Sequence, residues 1–256
     1  MRFSTINLIQ SKYESKVHKV EIKIENENLA NYVMFKLDKL ENGFTEEELA
    51  QITEVVIDYN SEQESSFVFL EELKKLKNLR SLTLRNGYIY NDNYNIFLYL
   101  NNLSELVFDN CEFENADLIT MLRLKSLSLI NCKIANYNFI DIFKTLEKLA
   151  IVNGTVELER INMLRDLNYL QLSYSNITDK TDLRVYSLRE LHIDNTNIAD
   201  LNFLNNLPNL GRIGIDEEQY SNNKDLFDSL MKTDILVLNE NMVGFGGAKN
   251  EILLRL

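Results

Sequence analysis

The sequence predicts an α/β solenoid whose parallel β-sheet lines a concave face, and three observations predict it. Segments fitting L-x-x-L-x-L-x-x-N/C-x-L recur every 21 to 24 residues: LRSLTLRNGYI (79–89), LSELVFDNCEF (103–113), LKSLSLINCKI (124–134), LEKLAIVNGTV (146–156), LNYLQLSYSNI (167–177), LRELHIDNTNI (188–198), the weaker LGRIGIDEE (210–218) and TDILVLNENMV (233–243). A fixed period of this length is the mark of a leucine-rich repeat horseshoe. Within each copy the residues alternate as in a strand, so positions 4 and 6, such as Leu127 and Leu129, face inward while positions 3, 5 and 7 face out. The return path is only about eleven residues, which leaves room for 3₁₀ or single helical turns on the convex side.

One coil cannot bury its own leucines. Coils stacked about 4.8 Å apart pair their strands into one sheet and close the core between them. A degenerate copy, ITEVVIDYN (52–60), extends the series at its N-terminal end. The chain therefore divides into an N-terminal extension and helical cap (1–51), eight or nine coils (52–243) and a C-terminal cap (244–256).

Each element follows in order. Residues 1–24 include the alternating HKVEIKIE (18–25), which has the pattern of an added strand. An apolar helix follows (Leu29, Val33, Met34, Leu37, Leu40), and Thr45-Glu-Glu-Glu48 is a capping box opening a second helix. The leucines of FLEELKKLKNL (69–79) make the first return the most helical one. Template position 9, occupied by Gly87, Cys111, Cys132, Gly154, Ser175, Thr196 and Glu218, turns the chain inward, where small polar side chains satisfy backbone groups. Cys111 and Cys132 thus stack as reduced thiols in consecutive coils. Pro208 falls between strands, where its missing donor costs the ladder nothing.

The stretch NTNIADLNFLNNLPNLGRIGI (195–215) resembles the 22-residue repeats of internalin-like bacterial leucine-rich repeat proteins. The region ENENLANYVMFKLDKLENGFTEEELAQITEVVID (25–58) is similar to the helical cap that precedes the repeats in many of them. The resemblance covers about 25–243 and implies a non-catalytic, protein-binding solenoid whose concave face carries the contacts. The chain departs from the family in placing Asn at position 8, with Cys, Gly or Thr following where the family usually has Asn.

Composition narrows the function. Hydrophobic residues make up 45%, ample for a continuous core. The net charge of −12, from 39 acidic and 27 basic residues, argues against nucleic acid or an anionic membrane as main partner and is compatible with a basic protein. The first residues lack the apolar run of a signal peptide and no window has the length of a membrane span. The expected location is cytoplasmic, or secreted if an export signal precedes this sequence.

Aligning the copies gives two concave patches. Val107, Ile130, Ala150 and Val152 form an apolar strip. Tyr169, Tyr174, Glu190, His192, Asp194, Asp216 and Glu217 form an aromatic and acidic cluster. Exposed apolar floor beside tyrosine and charge is the composition of a protein-binding hot spot; strand propensity and solvation are the plainer account of the same residues. A divalent cation or glycan around His192 is an alternative. Catalysis fares worse, since the two histidines, His18 and His192, lie many coils apart and no serine or cysteine triad has a base. The loop GFGGAKN (244–250) lacks the spacing of a phosphate loop. The expected protein is a non-enzymatic interaction module without cofactor or metal, binding a protein or peptide on its concave face. A secreted or surface adhesin, or a host-directed effector, is the alternative.

Overall fold

The computed structural model describes residues 21–58, 68–89, 96–113, 119, 122–135, 137–230 and 236–239. Residues 1–20 and 244–256, to which the sequence assigns an extension and a C-terminal cap, lie outside this set. The strands are β1 (Glu54–Asp58), β2 (Ser81–Arg85), β3 (Tyr88–Ile89), β4 (Glu105–Asp109), β5 (Glu112–Phe113), β6 (Ser126–Ile130), β7 (Lys148–Val152), β8 (Thr155–Val156), β9 (Tyr169–Gln171), β10 (Asn176–Ile177), β11 (Glu190–His192), β12 (Arg212–Ile215) and β13 (Leu236–Asn239). Nine of them form one sheet, ordered β1-β2-β4-β6-β7-β9-β11-β12-β13. Every pairing in it is parallel, as stacked coils running the same way require. The two-residue strands pair separately, β3 with β5 and β8 with β10.

The inward leucines make the core. Leu82, Leu84, Leu106, Leu127, Leu129, Leu149, Leu170 and Leu191 are fully buried, as are the template-opening Leu124, Leu146, Leu167 and Leu188. Each buried leucine contributes about 1.5–3 kcal/mol from apolar area removed from water. Because each shares that burial with the next coil, stability is carried by neighbours rather than by any coil alone. Phenylalanines fill the wider gaps: Phe108 meets Phe113 edge-on at 4.7 Å between ring centroids.

The returns are mostly 3₁₀ (Val68–Lys75, Asn138–Ile142, Asn202–Asn206), with one helical turn at Leu158–Ile161. The first of these is the longest 3₁₀ stretch of the three, but among the described residues the return with most helix is elsewhere. It is the pair Glu217–Asn222 and Lys224–Leu230, which occupies the last return before β13. The expected register also shifts there, since Arg212 pairs with Leu236 and not with Ile235. Helical packing changes the length of the return, so the repeat count no longer sets the strand register.

At the N-terminal end the helix Glu27–Lys36 is capped by Asn26, whose side chain accepts from the Leu29 amide at 3.0 Å. It buries Leu29, Ala30 and Val33. The helix stops at Lys36, Asp38 takes a left-handed φ of 52°, and Leu40 consequently lies beyond it and fully exposed, contrary to the expected apolar face. The capping box is present: Thr45 accepts from the Glu48 amide at 3.2 Å while Glu48 accepts from the Thr45 amide at 2.7 Å. Glu48 also meets Lys39 at 3.0 Å, and together these bonds hold its carboxyl below the usual carboxylate range. The alternating segment before the helix contributes one antiparallel bridge, Ile22 with Phe44.

Candidate functional site: the concave face and its corner

The corner after each concave strand fixes what the face can present. At template position 8, Asn86, Asn110, Asn131, Asn153, Tyr174 and Asn195 all have φ between 52° and 61°, according to the values 57°, 53°, 52°, 58°, 61° and 55°. Asparagine tolerates this region better than other side chains do, which accounts for five of the six. The asparagines also bond along the stack: Asn110 Nδ2 donates to Asn86 Oδ1 at 2.7 Å, and Asn86 Nδ2 donates to Asp58 Oδ1 at 2.7 Å. Tyr174 replaces the amide with a bulky ring and remains half exposed.

Position 9 then points inward. Cys111 Sγ donates to the Leu84 carbonyl at 3.3 Å, Cys132 Sγ to Phe108 at 3.4 Å and Ser175 Oγ to Ile151 at 2.8 Å. In each case the acceptor is the position-6 carbonyl of the preceding coil. Both cysteines are free and buried. Burial pushes the Cys111 thiol up to about 11 and Cys132 to about 12. The bend assigned to Glu218 is made differently: Glu218 is exposed, and the buried Gln219 donates to the Ile193 carbonyl at 3.0 Å and to Ile198 at 3.2 Å. A glutamate carboxylate could not donate to those carbonyls, so the helix start moves an amide into the slot.

On the sheet, the position-5 rung runs Val107, Ser128, Ala150, Gln171, His192, Gly214. Val107, Ile130 and Val152 are half-buried, with Ile130 opposite Val152. Ala150 is 7% exposed, so it closes the floor of the apolar strip and offers no contact surface of its own.

The second patch is a hydrogen-bonded network. Tyr169 OH donates to Gln171 Oε1 at 3.0 Å, Gln171 Nε2 to Ser173 Oγ at 3.4 Å, and Ser173 Oγ to Asp194 Oδ1 at 2.8 Å. Glu190 lies 2.9 Å from His192 Nε2 and accepts from Arg212 Nη1 at 3.1 Å. The Tyr169 and His192 rings are 5.7 Å apart. Burial, then Glu190 and Asp194, raise the Tyr169 phenol above its ordinary range. His192 lies over Gly214, where a Cβ would come within 2.3 Å of Nδ1. That glycine gives the imidazole its place across the next strand.

Asp216 is not on the floor as a free carboxylate. It caps the helix Glu217–Asn222, with Oδ1 accepting from the Gln219 amide at 2.8 Å and Oδ2 from the Asn195 amide at 2.8 Å. Glu217 opens that helix and is exposed. Tyr174 stands at the corner, beyond the end of β9. The structure thus joins Tyr169, Glu190, His192 and Asp194 on the floor and sets Tyr174, Asp216 and Glu217 along the rim. Among the described residues no group of three His, Cys, Asp or Glu side chains is arranged to hold a metal ion.

The sequence reading missed a cleft of about 170 Å³ on the side of the coils, lined by residues including Tyr137, Thr155, Arg160 and Thr178. Arg160 is already matched there by Glu157 at 2.8 Å and Asp141 at 3.0 Å. Its lining joins template residues Ile134 and Val156 to Asn138, Ile140, Arg160 and Ile161 of the returns, and the template assigns no column to those return residues.

Parallel coils, inward bend donors and a 3₁₀-rich convex side define a leucine-rich repeat solenoid. Neither the protein-family models nor the curated proteins contain a match to the chain. Solved structures do match. An internalin C2 of Listeria monocytogenes is 21% identical with a TM-score of 0.65, covering 84% of this chain and 94% of its own. Listeria monocytogenes InlP is 14% identical with a TM-score of 0.53, covering 75% and 64% respectively. The architecture is internalin-like, and at these identities the likeness speaks for the fold.

Proposed function

We propose that this chain is a non-enzymatic interaction module that binds a protein or peptide on the concave face, along the coils from β9 to β12. The observation that carries this reading is Tyr174. A bulky residue in the left-handed region costs roughly 1–2 kcal/mol, whereas the same corner holds asparagine in five other coils. The strain places a half-exposed aromatic ring on the rim of a floor that already contains Tyr169 and His192. Aromatic side chains in such positions are the usual anchors of binding energy. Asp194 and Glu217 beside them suit a partner with basic side chains.

A partner identified by cross-linking and titrated with purified protein tests this. Tyr174→Asn restores the corner consensus, and Asp194→Asn removes a charge while keeping the acceptor for Ser173. The pair should weaken binding at least tenfold, and Tyr174→Asn alone should raise stability by about 1 kcal/mol. Unchanged affinity in the double variant would rule out this face. Among the described residues no helix is long and apolar enough to cross a membrane. An adhesin or effector exposed outside the cell would use the same surface, and an export signal in its precursor would distinguish that setting.

A further inference from the structure

A second surface lies where the returns lead back into the concave strands. Four residues before the opening leucine of successive coils stand Ile142, Met163 and Arg184; two residues before stand Lys144, Arg165 and Tyr186. All six are exposed, with Ile142 at 53%, Met163 at 51% and Tyr186 at 60%. Equivalent positions in adjacent coils stand side by side along the stack, because β7, β9 and β11 that follow them pair in register. The six therefore form two short parallel rows on three consecutive coils. Apolar side chains set beside basic ones on neighbouring coils have the composition of a contact surface.

The charges agree. Lys144, Arg165 and Arg184, with Arg123 and Arg189 nearby, have no ion-pair partner among the described residues. Of the acids alongside, Asp141 is matched by Arg160 and Glu147 by Lys125, leaving Asp166 and Asp182. The excess here is positive although the whole chain is at −12. At the other end of the strands Asp109 is matched by Arg85 and Glu112 by Lys133, while Asp194 and Glu217 lie past the ends of β11 and β12. A five-residue strand spans roughly 16 Å, about twice the ~8 Å screening length at physiological salt. Net charge therefore does not describe what this edge attracts.

We infer that the patch formed by Ile142, Met163, Tyr186, Lys144, Arg165 and Arg184 docks on an anionic lipid surface. The aliphatic side chains select this occupant over a nucleic acid, which has stacking faces for tyrosine but nothing that covers isoleucine and methionine. Apolar insertion and basic attraction are each weak, and together they hold a protein reversibly at an interface. The patch lies where the returns lead back into the sheet, and the concave floor stays open. The inference goes beyond the proposed function and does not depend on it.

Co-sedimentation of the full chain with phosphatidylcholine vesicles containing about one third phosphatidylserine tests it, beside pure phosphatidylcholine vesicles. Binding only to the anionic vesicles is expected. Lys144→Gln with Arg165→Gln should lower partitioning roughly 25-fold, at about fivefold per basic side chain. Ile142→Ser with Met163→Ser should also abolish most binding, and Tyr174→Asn should leave it unchanged. All are exposed, and circular dichroism checks that each variant stays folded. No binding by wild type, equal binding to both vesicle types, or binding that survives both pairs of substitutions would overturn the inference. Retention of the chain by poly-glutamate but not by vesicles would reassign the patch to an acidic protein, and overturn it as well.

Discussion

Removing the hydroxyl of Ser175 separates the bend donors from the leucine core as sources of stability. Ser175 is 2% exposed, donates to the Ile151 carbonyl at 2.8 Å and accepts from the Gly154 amide at 3.1 Å. Ser175→Ala deletes one oxygen and very little apolar contact, so its cost is that of the groups left behind. A buried polar group without a partner costs about 1–3 kcal/mol. Gly154 is only half-buried and water recovers part of its amide, which brings the expected loss to about 2–3 kcal/mol. Ser175→Cys keeps a donor of the kind that Cys132 provides at 3.4 Å, and should lose less than half as much. Urea unfolding followed by far-ultraviolet circular dichroism measures both, with slopes compared because long repeat arrays can lose cooperativity. A loss below about 0.5 kcal/mol for Ser175→Ala, or equal losses for alanine and cysteine, would refute the account of the bend.

Two further outcomes follow from groups held away from water. Burial raises both thiols above the reference of 9.0, so the folded chain keeps them protonated where the unfolded chain ionises. Their contribution is complete below pH 9 and is lost as pH rises towards about 12, and Cys111→Ser with Cys132→Ser should flatten that part of a stability–pH curve. Native thiols should also resist alkylation at pH 8 and react on unfolding, and rapid native labelling would contradict the burial. Gly214→Ala should push the His192 ring off its neighbour and break its contact with Glu190 while costing less than about 1.5 kcal/mol, because a side chain can move where a backbone cannot. Unaltered imidazole resonances in the nuclear magnetic resonance spectrum of that variant would show that the ring sits elsewhere.

The repeating part of the fold was legible because it repeats. Leu127 and Leu129 could be assigned inward from alternation alone, and the cysteines could be placed in one column from spacing. The left-handed corner also leaves a mark, the asparagine at position 8, one residue before the inward position 9. What could not be read was where the repeat yields to something else. LGRIGIDEE fits the template through Ile215, yet Asp216 and Gln219 cap a helix, and only the three-dimensional stack shows that Gln219 reaches the Ile193 carbonyl. In the candidate site, Tyr169, His192 and Asp194 came together as the columns implied. Ala150 proved covered, since column assignment gives direction but not what the neighbouring side chains hide.

Four bend donors point back to the preceding coil, while Thr196 Oγ1 donates to Ile193 of its own coil at 2.7 Å. Cys111 reaches Leu84, Cys132 reaches Phe108, Ser175 reaches Ile151 and Gln219 reaches Ile193. A nascent chain leaves the ribosome N-terminus first, so each bend would emerge with its acceptor already made. Erosion has the same polarity. Losing the last coil bares a carbonyl, whereas losing the first strands a donor inside the next. Shortening this molecule from its C-terminal end is therefore the gentler cut.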